Sequence, residues 1–107
     1  MKTLVSAGVA MIIALAVAPA EARPVARTAT VTLDKLAFGA VSTSLHVGDS
    51  VLWANRDVFR HSSTAKGHFD VDLPPGSRRR MLLTRAGVFP FTCKYHPGMK
   101  GVLKVSQ

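Results

Sequence analysis

The chain has 107 residues and a mass of 11.4 kDa, room for one domain and not two. Hydrophobic residues make up 48% and charged residues 19%, which excludes an acidic disordered tail, a collagen-like repeat and a multi-span membrane protein. Lys and Arg outnumber Asp and Glu 14 to 6, for a net charge of +8; the lone cysteine excludes an intramolecular disulfide framework and a Cys-only zinc site.

Met1-Lys2 opens the chain, an apolar run occupies residues 4–17, and Ala18-Pro19-Ala20 and Ala20-Glu21-Ala22 follow as small-residue sites. A short positive start, an apolar stretch and an A-x-A site predict a cleaved secretory signal peptide over residues 1–22, cut after Ala20 or Ala22. The apolar run is short for a membrane span and Pro19 ends it, so no stable insertion is expected after cleavage. Residues 23–107 then form the mature domain, expected in the periplasm. Loss of Lys2 and Glu21 leaves the net charge at +8. So small a domain, with no disulfide, has a marginal core unless something else, such as a bound metal, cross-links it.

No window of the mature chain keeps a helical period, and turn signals recur about every eight to twelve residues, which predicts an all-β sandwich. Residues 28–33 alternate as a half-buried strand. Residues 44–47 and 50–55, joined at Gly48-Asp49, predict a hairpin with Leu45, Val47, Val51, Trp53 and Asn55 on one face and His46 toward water. Residues 56–77 read as irregular and polar, and Leu73-Pro74-Pro75-Gly76-Ser77 closes them with a strong turn signal. Further strands are predicted over 80–84, over 88–93 with Phe89, Phe91 and Cys93 on one face, and over 101–105.

Four candidate metal ligands stand out: His61, and then Cys93, His96 and Met99 within Phe91-Thr92-Cys93-Lys94-Tyr95-His96-Pro97-Gly98-Met99. A thiolate, two imidazoles and a thioether are donors that copper accepts in both oxidation states, and a His₂Cys plane with a weak axial Met is a blue-copper arrangement. Cys93 ends a strand and a tight Pro-Gly loop follows, so three donors can converge from seven residues; His61 must arrive from a neighbouring element. Taken singly, a buried Cys is an inert apolar residue and a Met is core filling. The combination in an exported chain argues for the metal. His68 reads as a solvated loop residue rather than a spare ligand. Arg78-Arg79-Arg80 is either a docking patch or a solvated strand face.

The segments Val47-Gly48-Asp49-Ser50-Val51-Leu52-Trp53-Ala54-Asn55-Arg56-Asp57 with His61, Phe69-Asp70 with Pro75-Gly76, and Gly87 through Gly101 resemble the cupredoxins, small type 1 copper proteins. Within the plastocyanin, pseudoazurin and amicyanin branch, the short C-x2-H-x2-M loop is most similar to that of amicyanin. The resemblance implies a Greek-key β-sandwich with copper at one end, and electron transport by Cu(I)/Cu(II) cycling. It makes His61, Cys93 and His96 the equatorial ligands, Met99 the axial one, and Asn55 the residue whose side chain braces the ligand-loop backbone. Lys94-Tyr95 departs from the Pro-containing pair often found in that loop.

The resulting expectation is a periplasmic electron carrier, not an enzyme, holding one copper ion and acting as a monomer. The alternative is a copper chaperone or storage protein using the same ligands. Arg60, Lys94 and Lys100 around the ligands imply a positive copper end and hence a redox partner with an acidic surface, a c-type cytochrome or a dehydrogenase. Nucleic acid is not expected as a partner, since no aromatic-basic stacking surface is present.

Overall fold

The computed structural model describes residue 3, residues 8–15 and residues 25–107. The predicted signal peptide falls largely outside the described residues, and its cleavage positions Ala20 and Ala22 fall wholly outside them. Among the described residues no helix is long and apolar enough to cross a membrane.

Regular structure among the described residues is β throughout: β1 (Thr28–Asp34), β2 (Ala37–Phe38), β3 (Leu45–His46), β4 (Ser50–Asn55), β5 (His61–Ala65), β6 (Phe69–Leu73), β7 (Arg78–Leu82), β8 (Gly87–Thr92) and β9 (Lys100–Ser106). They form a four-stranded sheet in the order β2-β1-β4-β7 and a five-stranded sheet in the order β3-β9-β8-β5-β6. The sandwich expected from the turn rhythm is thus the observed one.

The core follows from period-two alternation. In β1, Val31 and Leu33 point inward between outward threonines, and the parallel register sets Val31 beside Trp53 of β4. Trp53 is fully buried and packs against Phe38, Phe69 and Phe91, with ring centroids 6.1, 6.2 and 5.1 Å away. These edge-on and tilted aromatic contacts join the two sheets. Between β8 and β9, Gly101 lies under the Phe91 ring, where an added Cβ would stand 2.4 Å from Phe91 Cζ. Only glycine lets Phe91 reach Trp53.

Two expectations change. Residues 44–55 do not form a hairpin: β3 pairs with β9, whereas β4 pairs with β1 and β7, in the other sheet. The turn is held by Asp49, whose carboxylate accepts from the Arg27 and His46 amides at 2.9 Å each. This carries the chain from one sheet to the other. Val47 consequently leaves the core and is 38% exposed, while Leu45, Val51, Trp53 and Asn55 are buried and His46 faces water as expected. Residues 56–77, read as irregular, contain the β5–β6 hairpin, turned at Gly67 with φ 82°. Polar Ser62 and Ser63 conceal β5 from a hydropathy reading, yet both are fully buried.

The topology brings the start of β5 and the end of β8 to one end of the sandwich. His61 opens β5, and the loop from Cys93 to Met99 links β8 to β9.

Candidate metal centre

Three donor atoms meet at that end. His61 Nδ1 and His96 Nδ1 lie 3.1 Å apart, and Cys93 Sγ stands 3.8 Å from the first and 3.7 Å from the second. A first-row ion held trigonally at about 2.0 Å from nitrogen and about 2.3 Å from sulfur requires N···S separations of about 3.7 Å. The two sulfur-to-nitrogen distances match, and the nitrogens need to part by only a few tenths of an ångström. His61 and Cys93 are buried, and His96 is half-buried with an edge toward solvent. Among the described residues this is the group of His, Cys, Asp or Glu side chains close enough to hold a metal. A soft thiolate between two borderline imidazoles is a copper-compatible set.

Met99 is buried in the core at the far end of the loop, and its backbone closes that loop. The Cys93 amide donates to the Met99 carbonyl at 3.1 Å, and the Met99 amide donates to the His96 carbonyl at 2.9 Å. Lys94 and Tyr95, which replace the Pro-containing pair, are accommodated by a further tie from the Lys94 amide to Ser62 Oγ at 2.9 Å. His68 is outside the cluster; it packs on Phe89, with ring centroids 4.9 Å apart, near the β5–β6 turn.

Two contacts were not singled out from sequence. Asp57 accepts a hydrogen bond from His61 Nε2 at 2.7 Å, which fixes the imidazole with its proton on Nε2 and its Nδ1 lone pair toward Cys93 and His96. The same carboxylate accepts from the Lys35 and Leu36 amides at 2.7 and 3.0 Å. Burial works to raise the pKa of Asp57, but the His61, Leu36 and Lys35 hydrogen bonds outweigh it and hold the carboxyl below its ordinary value. The signal was present in an acid four residues before a candidate ligand, but the intervening segment is irregular and its spacing carries no face. The second contact is the Ser62 amide, which donates to Cys93 Sγ at 3.4 Å and favours the thiolate.

Asn55 acts on a different segment from the one expected. Its Nδ2 donates to the carbonyls of Phe59, Leu73 and Pro74 at 2.8, 2.9 and 3.2 Å, and its Oδ1 accepts from the Asp57 amide at 2.9 Å. It therefore braces the approach to His61 and the turn after β6, not the loop over residues 93–99. A strand-end side chain can reach the chain that directly follows it, and that chain here leads to His61.

The charge around the site also differs from expectation. Arg60 is bound bidentately by Asp72, at 3.1 and 3.0 Å, and Lys94 is bound by Asp70 at 2.9 Å. Asp70 lies below its ordinary pKa because Lys94 and Thr64 hydrogen-bond to it, and Lys94 lies above its own because of Asp70. Of the three cations expected to charge this end, Lys100 alone makes no ion pair among the described residues. Around the site the surface is apolar instead: Val58 is 81% exposed, Phe59 50% and Tyr95 49%.

No protein-family model matches the chain. Among solved structures it resembles amicyanin from Paracoccus versutus (Thiobacillus versutus), with a TM-score of 0.64 and 21% identity over 74% of this chain and 81% of that one. A variant of amicyanin in its reduced Cu(I) form at pH 4 matches with a TM-score of 0.58 and 26% identity, over 74% of this chain and 82% of that one. A Cu-containing nitrite reductase (NirK) from Thermus scotoductus SA-01 gives a TM-score of 0.64 and 26% identity over 75% of this chain, which spans 22% of the reductase. The two sheets have the cupredoxin fold, and the His–Cys–His cluster fits a type 1 copper ligand set. Within that class the chain is amicyanin-like in architecture.

Proposed function

We propose that this protein is an exported type 1 copper protein that carries single electrons between redox partners. The observation that carries this reading is the triangle of His61 Nδ1, His96 Nδ1 and Cys93 Sγ, spaced for one trigonal ion at the end of a rigid sandwich. Copper, when bound, supplies a one-electron Cu(I)/Cu(II) couple. His61, Cys93 and His96 would hold the ion between them, and Met99, at the end of the same loop, would add a weaker thioether donor. Asp57 orients His61, the Ser62 amide steadies the thiolate charge, and Asn55 holds the segment that delivers His61.

The residues around the metal favour transfer over chemistry on a substrate. Ligands fixed by β5, β8 and a closed loop move little when the metal charge changes by one. The half-buried edge of His96, bordered by Phe59, whose ring centroid is 6.0 Å away, offers an electron path to a docked protein. A metal-bound Cys93 is not free to attack a substrate, so the protein is read as a carrier and not an enzyme. Removal of residues 1–22 leaves residues 23–107 as the copper domain, placed in the periplasm by the signal-peptide pattern. A redox protein with an acidic surface, a c-type cytochrome or a dehydrogenase, completes the reading.

The visible spectrum of the Cu(II)-loaded protein tests it. An intense blue thiolate-to-copper band is expected, and Cys93→Ser should abolish it while the far-ultraviolet circular dichroism of the sandwich persists. Persistence of the blue band in that variant would overturn the assignment. A single reversible potential distinguishes a carrier from a delivery or storage protein, which would hold Cu(I) preferentially and release it.

A further inference from the structure

The chain carries 14 basic residues against 6 acidic ones, yet the basic side chains beside the metal centre are largely neutralised. Asp70 and Asp72, both on β6, take up Lys94 and Arg60 on the outer surface of the five-stranded sheet. An ion pair projects only a dipole, whose field fades faster with distance than that of a single charge and is further screened by salt. Most of the unpaired positive charge therefore lies elsewhere on the molecule.

The four-stranded sheet carries part of it. Its register places Thr30 beside Leu52 and Thr32 beside Ala54, with Arg80 opposite Leu52 and Arg78 opposite Ala54. Residues directly opposite share a face, and Trp53 and Val31 point to the core, so this set lies on the other face, where Thr30, Arg78 and Arg80 are exposed and Ala54 is covered between its neighbours. Arg56 follows the end of β4, and a shallow groove is lined by Thr30, Thr32, Ala54, Arg56 and Arg78. Asp34, at the end of β1, is the carboxylate in the same outward register, and none of the ion pairs among the described residues involves Asp34, Arg56, Arg78 or Arg80. Charge on β7 protects an exposed sheet edge from pairing with another chain. Edge protection accounts for arginine on β7 but not for Arg56 beyond β4, nor for a hydroxyl-lined groove between them.

We propose that the face built by Arg56, Arg78 and Arg80 captures an acidic redox-protein partner, while the apolar surface at Val58, Phe59 and Tyr95 makes the contact through which the electron passes. This rests on the carrier reading above. Guanidinium forks pair with carboxylates bidentately, and the Thr30 and Thr32 hydroxyls add donors beside them. Arg56 directly follows Asn55, whose amide holds the Phe59 backbone. The cationic face thus begins at the flank of the metal end, and a protein gripping the flank can also cover the tip.

Stopped-flow oxidation of the reduced copper protein by a c-type cytochrome of net negative charge is the test, run from about 10 mM salt, where the Debye length is about 30 Å, to about 1 M, where it is about 3 Å. Arg78→Glu/Arg80→Glu should lower the second-order rate constant at least about tenfold at low salt and flatten its salt dependence. Arg60→Gln/Asp72→Asn, which deletes a neutral pair, should change it less than about twofold. Equal losses from the two variants would overturn the proposal. Ferricyanide oxidation controls for the metal: failure there sinks the carrier reading and not the surface. For that case, poly-L-glutamate is titrated into the protein and followed by amide chemical shifts. Shifts centred on residues 30, 32, 54, 78 and 80 support the capture face, and shifts centred on residues 94–97 overturn it. Binding to phosphatidylglycerol vesicles that is lost in Arg78→Glu/Arg80→Glu, with no poly-L-glutamate shifts, would assign the face to a membrane and overturn it as well.

Discussion

At the scale of single residues the metal centre depends on what stands behind the ligands. Asp57 is the clearest case, because it fixes the His61 tautomer and at the same time ties down the β1–β2 turn. Asp57→Ala is expected to weaken copper binding by roughly 10- to 100-fold, the usual effect of losing a group that orients a metal-bound His, as measured by competition with a chelator. His61→Ala should lose far more, since it removes one of the three clustered donors. Met99→Gln should keep the blue plane and lower the reduction potential, because an oxygen donor favours Cu(II); voltammetry reads this directly. An unchanged potential would place the thioether outside the influence of the metal. The cluster of His61, Cys93 and His96 was legible in the sequence because its donor chemistry is rare and two of the three sit on one short loop. Asp57 was not, because its role arises from a contact across an irregular segment. Asn55 was legible as a brace but not for the segment it holds.

At the scale of elements, two backbone features make local expectations. The β1–β2 hairpin turns through Lys35 and Leu36, both with positive φ, at 52° and 57°. Two such residues in succession mark a turn type that favours Asn-Gly, and side chains there cost about 1–2 kcal/mol each. Leu36→Gly should therefore raise the melting temperature by several degrees while the Asp57 contacts to the backbone amides remain. Gly101→Ala should act in the opposite sense, by about 1–3 kcal/mol, because the new methyl group drives Phe91 off Trp53. Chemical denaturation of the two variants checks both signs. Strands β1, β4, β8 and β9 were readable because their alternation is apolar on the core side. The β5–β6 hairpin was hidden by Ser62, Ser63 and Thr64, whose polarity serves the site: Ser62 Oγ accepts from the Lys94 amide, and its amide donates to Cys93. Membership of β3 and β4 in opposite sheets was hidden too. A Gly-Asp turn looks the same whether it closes a hairpin or crosses a sandwich, and what decides is the capture of the Arg27 and His46 amides by Asp49.

At the scale of the whole molecule, stability should depend on pH and metal together. Asp49 is held below its ordinary carboxyl value of 3.8 by the Arg27 and His46 amides, and Asp70 is lowered by Lys94 and Thr64. A carboxyl with a depressed folded-state pKa stabilises the fold above its unfolded-state value, and this stabilisation is lost as pH falls through the folded-state value. The metal-free melting temperature should thus drop steeply below about pH 4, and Asp49→Asn, less stable at neutral pH, should show a shallower acid slope. Copper adds a separate term, since an ion that binds only the folded chain contributes RT ln(1 + [L]/Kd), about 2.7 kcal/mol at a hundredfold excess over Kd. For a domain of this size that corresponds to a shift on the order of 10 °C or more. Protons compete with a metal ion for imidazole and thiolate donors, so the copper increment should itself shrink as pH falls. Calorimetry of the metal-free and copper forms across a pH series separates the two terms. The difference between the two curves should be largest near neutrality and close toward acid, whereas the slope set by Asp49 should remain in the metal-free curve. Coincident melting curves at neutral pH would contradict the copper centre even if the sandwich itself is intact.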